Sequence, residues 1–199
     1  MHLAKNKRID VDKVRKEVRN ILNTSLNSNV PLAKNSRWTQ SFELIGTLID
    51  DREFSEYLVF RKFIVVGFIK EIKAVLPSDV KLFVISTSSS SFSWSDGSSI
   101  RDVADLVDAV ETTSYFQEPE DVYLDVCFAK RMIGLKSKLY VGLRPCFPDV
   151  LYPENLTKNL GILNKVGIDG VSFFIYSHMS HENLEWIKMS LNALESPSS

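Results

Sequence analysis

Between residue 80 and the C-terminus the chain repeats one pattern four times: a β-branched-rich apolar run, a polar turn and an amphipathic helix. The apolar runs cover residues 80–86, 106–112, 138–143 and 170–176. A strand and a helix recurring about every 30 residues is the pattern of parallel β/α units. Parallel strands bury both faces, and the commonest way to bury the inner face is closure into an eight-stranded barrel. Four strands are half of that number. An open doubly wound sheet is the other architecture that four parallel strands suit.

Residues 1–77 read differently. From residue 10 to residue 26, Val11, Val14, Val18, Ile21, Leu22 and Leu26 recur at helical spacing, with Asp10 placed to cap the helix. A polar loop over 27–37 follows, then a short helix over 41–49 and a long one over 51–75 that Pro77 stops. The apolar runs near residue 65 are broken by Arg61, Lys62 and Lys70, so they read as one buried helix rather than a membrane span. In the repeating part, helices are expected to begin near Ser99, Pro119, Pro153 and His181. The fold class is therefore α/β: one domain over 1–199, with a helical segment over 1–77 and four β/α units over 78–199.

Charge narrows the partners. With 24 Lys and Arg against 25 Asp and Glu, a formal net charge of -1 gives no electrostatic case for nucleic acid or an anionic membrane. Neither of the two cysteines, Cys127 and Cys146, sits at a metal or redox spacing, so they read as reduced thiols of a cytoplasmic protein. Nothing resembles a signal-peptide core.

Residues 143–149, 167–177 and 184–187 resemble the closing strands of a glycosidase-like TIM-barrel family: a strand ending in Arg144-Pro145, a last strand ending near an aromatic and a polar turn, and a helix carrying Trp186. Residues 10–14 and the polar loop with Trp94, Asp96 and Gly97 after the long helix look similar too. The resemblance implies the C-terminal part of a barrel with a carbohydrate-directed cleft. It also implies several β/α units before Asp10, so the chain reads as a fragment, as a shortened relative, or as half of a barrel completed by a second copy.

In barrel enzymes the reacting groups sit at the C-terminal ends of the strands and in the loops after them. Here those positions hold Ser86, Thr87, Glu111, Thr112, Tyr115, Arg144, Tyr176 and His178. Glu111 is the sharpest candidate, because a carboxylate ending an apolar strand can serve as acid, base or nucleophile. It can equally face outward or pair with Arg144. Glycoside hydrolysis needs a second carboxyl group, and Asp96 and Asp149 are the catalytic candidates for that role, although each also suits a turn. Arg144 offers a planar fork of donors to sugar hydroxyls or a carboxylate, and its structural alternative is an ion pair with Glu111 or Asp149. Trp94, Tyr115, Phe116 and Phe147 could stack on sugar rings.

His178 and His181 flank Met179 and Ser180 without a nearby Cys or acidic cluster, so Ser180 reads as a helix cap rather than part of a metal site. The serine run over 86–91 lacks the frame of a nucleophile elbow and reads as a loop over the barrel mouth. No glycine-rich phosphate loop is present, and no cofactor is expected. The leading expectation is a glycoside hydrolase-like protein. The competing one is a non-catalytic binding or assembly module forming part of an oligomeric barrel.

Overall fold

The computed structural model describes residues 10–27, 52–86 and 93–195. The helix expected over 41–49, residues 28–37 of the polar loop and the serine run beyond Ser86 lie outside them. In the described residues, α1 (Val11–Asn27) and α2 (Arg52–Val75) precede the first strand. Asp10 accepts the backbone N–H groups of Asp12 at 3.1 Å and Lys13 at 3.0 Å, the capping expected at the start of α1.

Four β/α units follow. Strand β1 (Phe83–Ile85) leads to the one-turn helix α3 (Ser93–Asp96) and to α4 (Ile100–Ala104); β2 (Ala109–Thr113) leads to α5 (Pro119–Ile133). Strand β3 (Lys138–Leu143) leads to α6 (Pro153–Val166), and β4 (Gly170–Phe173) leads through a 3-10 turn (Tyr176–His178) to α7 (His181–Glu195). Proline occupies the first turn of α5 and α6, where its missing N–H has no partner to lose. Asn183 donates its N–H to the Ser180 hydroxyl at 3.2 Å and accepts from Ser180 in return, so the segment between the two histidines is a helix cap, as the sequence indicates.

The strands lie in the order β1-β2-β3-β4 and every pair is parallel. A doubly wound sheet would reverse its strand order at a switch point and carry helices on both faces. Among the described residues this one does neither. Val84, Val110, Leu139, Val141, Leu143, Val171 and Phe173 share one strand parity, and they form a single core with Val103 of α4, Val122 and Val126 of α5, Leu156 and Leu160 of α6, and Trp186 of α7. Successive helices also pack on one another, α4 on α5, α5 on α6 and α6 on α7, as one continuous layer.

The opposite parity presents Phe83, Ile85, Ala109, Glu111, Thr113, Lys138, Tyr140, Gly142, Gly170 and Ser172. That face is open, with Phe83 49% and Ile85 57% exposed.

Two carboxylates tie down the other end of the sheet. Asp108, just before β2, accepts the N–H of Leu82 at 2.8 Å, and Asp169, just before β4, accepts that of Leu139 at 2.9 Å. Each pins the start of the preceding strand. Helix α2 corrects the expectation of a buried helix: Phe54 and Ile69 are buried, but Val59, Phe60, Phe63, Ile64 and Phe68 are exposed. Its buried residues pack at two places, on α1 near Phe54 and on the main core near Ile69.

Candidate functional site

Side chains on the open face meet across alternate strands. Phe83 of β1 and Tyr140 of β3 touch edge to face, 5.3 Å between ring centroids, over the small Ala109 of β2. One layer nearer the strand C-termini, Ser172 of β4 donates to Glu111 Oε1 of β2 at 2.6 Å over Gly142 of β3. Glycine gives the close fit there. A Cβ at residue 142 would lie 3.0 Å from that Glu111 oxygen and 3.3 Å from the Ser172 hydroxyl. Gly170 has the same relation to Tyr140, whose ring lies where a Cβ would go. Bulky aromatics thus fill the base of the face, while small residues leave room around Glu111.

Above Glu111 the loops build a second tier. Tyr115 stacks on Phe174 with 13° between ring planes and 6.1 Å between centroids, and the Arg144 guanidinium lies 5.1 Å from the Tyr115 ring. Arg144 is paired with Asp149, whose side chain is 3% exposed. That pairing raises the Arg144 pKa, against the opposing effect of burial. Burial, reinforced by the charges of Glu111 and Asp149 and opposed by Arg144, pushes the Tyr115 hydroxyl up to about 12. Tyr115 is therefore a neutral donor at any ordinary pH.

The Tyr115 loop is held at several points. Ser114 donates its hydroxyl to the fully buried Asp125 of α5 and its N–H to the Gly142 carbonyl at 2.9 Å, and Gln117 donates to the Pro148 carbonyl at 2.7 Å. The chain leaves β4 through a cis Phe174–Ile175 peptide.

The structure therefore brings together Glu111, Tyr115, Arg144 and Asp149. Of the two structural alternatives for Arg144, the ion pair is with Asp149. Asp96 is placed elsewhere, on α3, where it accepts from the backbone N–H of Ser98 at 2.8 Å and from the Ser98 hydroxyl. Trp94 shares that one-turn helix. Tyr176 and His178 lie on the exposed 3-10 turn after β4. Thr112 faces the helices, fully buried, and Phe116 belongs to the main core.

Two members of the cluster were not singled out from the sequence. Ser172 and Phe174 share the parity of Gly170, and only the core positions of Val171 and Phe173 reveal which parity is open. A groove of about 240 Å³ bounded by Leu58, Val59, Lys62, Ser93, Gly97 and Ser99 shares no residue with this cluster.

Among the described residues no group of His, Cys, Asp or Glu is arranged to hold a metal, and no helix is long and apolar enough to cross a membrane. Comparison with protein families, with curated proteins and with solved structures found no match.

Proposed function

We propose that the open strand-end face is a carbohydrate-directed cleft on half of a β/α barrel. Support for the half-barrel comes from the sequential parallel order, the helix layer that the described residues form on one face, and the meeting of side chains from alternate strands, which is how barrel interiors are layered. The observation that carries the cleft is Glu111. It is a carboxylate oriented by Ser172, with glycine beside it and an aromatic stack above it. A pyranose offers hydroxyls to the carboxylate and an apolar face to the half-exposed Phe174 ring.

Hydrolysis is the more demanding reading. It needs two carboxyl groups, whereas Asp149 is committed to Arg144 and Asp96 to the Ser98 turn. Binding is therefore expected to outlast turnover. The exposed Phe83 and Ile85 favour the second reading, an assembly module forming part of an oligomeric barrel.

Calorimetric titration with α- and β-linked glucose and N-acetylglucosamine oligosaccharides tests the cleft. One class should bind, and Phe174→Ala should weaken it by at least about tenfold while the melt stays within a few degrees. Absence of binding across the panel at millimolar ligand would refute the cleft. Any aryl-glycoside turnover that depends on Glu111 should fall by about a hundredfold or more in Glu111→Gln.

A further inference from the structure

Two features of the open face call for the same kind of partner. Each alternate-strand layer holds two side chains, Phe83 with Tyr140 and Glu111 with Ser172, where a closed eight-stranded barrel holds four. The sheet also ends in two strand edges of matching polarity, β1 on one side and β4 on the other, because all four strands are parallel and in sequence order. A two-fold axis along the barrel would set β4 of each copy against β1 of the other with the correct sense. Eight strands is also the count whose interior side chains just fill.

The exposed area is sufficient. Phe83, Ile85 and Phe174 are about half exposed, and Phe147 and Tyr176, in the loops that follow β3 and β4, are 80% and 75% exposed. At roughly 200 Å² for a large side chain, these five offer about 600 Å² per copy. Two copies would bury about 1,200 Å² before the strand edges are counted, the lower end of what stable interfaces bury.

We propose that a second copy of this chain closes the open face into an eight-stranded barrel, and that the partner's Glu111 becomes the opposing carboxylate of the cleft. The role given to the carboxylates rests on the carbohydrate reading; the closure itself does not. In such a ring, β2 and the partner's β2 are four strands apart and so diametrically opposed. Strands about 4.8 Å apart and tilted by about 36° enclose a ring about 15 Å across. Each glutamate reaches roughly 4 Å inward and leans toward Ser172 along its own wall. The two carboxyl groups would then stand about 7 to 9 Å apart, the separation at which one acts as acid and the other activates water. Among the described strands one chain contributes one such carboxylate, so the site as proposed is incomplete without the partner.

The experiment begins with sedimentation equilibrium of the full chain from about 5 to 100 µM, a range that spans ordinary dimer affinities. A mass of two chains is expected, and a monomer throughout that range overturns the proposal. Phe83→Asp should weaken association by at least about a hundredfold while preserving the helical circular dichroism. Should that variant fail to fold, Ile85→Lys, at a more exposed position of the same face, serves the same purpose. A dimer unaffected by either means that another surface carries it, and overturns the proposal.

Closure face to face is read by Glu111→Cys in a Cys127→Ser background. A bis-maleimide spanning about 10 Å should join the two chains through residue 111, given the ring dimension above. A dimer that cannot be joined there refutes the opposed carboxylates. The oligosaccharide panel separates the two readings. A wild-type dimer that binds no sugar, with the Glu111→Cys variant cross-linking at residue 111, keeps the closure and removes the cleft, and a wild-type monomer that binds sugar does the reverse.

Discussion

Ser172 donates its hydroxyl to Glu111 Oε1 across the intervening β3 strand, and Gly142 is the residue that lets it do so. The contact joins β2 to β4, which are not neighbours in the sheet. It orients a carboxylate that would otherwise turn freely on an open surface. The lateral order of the strands is thereby turned into a fixed direction for one ionisable group.

Non-additivity tests this relationship. Ser172→Ala removes a hydrogen bond to a charged, half-buried group and should cost about 1–2 kcal/mol. Gly142→Ala places a methyl 3.0 Å from the Glu111 oxygen and breaks the same bond by displacement. Because both substitutions remove one interaction, the double variant should be less destabilised than the sum of the two by about 1 kcal/mol. Urea titration of the four proteins gives the comparison, and simple additivity would show that Gly142 acts on something other than this bond.

Arg144 and Asp149 give a second prediction. Asp149 is 3% exposed, so Arg144→Ala strands a buried carboxylate and should cost about 3 kcal/mol. At about 2–4 °C per kcal/mol for a chain of this size, the melting temperature should drop by about 6–12 °C. Replacing both, Arg144→Met with Asp149→Leu, removes the stranded charge and should recover most of the loss. A double variant as unstable as Arg144→Ala would mean that Arg144 contributes chiefly through its contact with Tyr115.

Tyr115 predicts behaviour at high pH. Its hydroxyl is pushed up to about 12, first by burial and then by Glu111, against an ordinary value near 10. Above the ordinary value the unfolded chain loses this proton while the folded chain keeps it. The stabilising contribution is therefore present below about 10 and is lost as pH rises through about 12. Tyr115→Phe, which cannot ionise, should lose stability less steeply above pH 10, as measured by melts between pH 8 and 11.5. Parallel alkaline limbs in the two proteins would contradict the shift.

The repeating unit was legible because both of its periodicities are local. β-branched runs at a spacing of about 30 residues, with proline or serine at each helix start, placed all four strands and the helices at Ile100, Pro119, Pro153 and His181. The facing of the strands was not legible. Alternation groups Glu111 with Ala109, but only the packing of Val110 against the helices shows that Glu111 looks the other way. Ser172 and Phe174 were missed for this reason, since neither residue type marks a site until its neighbours across two strands are known. The exposed stripe of α2 was also missed. A helix apolar on nearly every side reads as buried from its sequence, whereas burial depends on how many neighbours the fold supplies.

The last prediction lies at the opposite end of the sheet, where the barrel rule places stability rather than function. Asp108 accepts the Leu82 N–H and pairs with Lys73 and Lys81, and these contacts hold its carboxyl down at about 2, the backbone hydrogen bond first. A carboxyl whose folded pKa lies below its unfolded value of about 3.9 stabilises the fold above that value. The contribution is lost as pH falls from about 4 through about 2. Asp108→Asn keeps the shape of the side chain but not its charge or its titration, so its acid-denaturation limb should be flatter than that of the wild-type chain over this window. The Leu82 N–H can still bond the amide oxygen, so β1 should stay paired with β2 at neutral pH, which hydrogen exchange at Val84 and Ser86 would report. An acid limb identical in the two proteins would show that Asp108 titrates alike in the folded and unfolded chains.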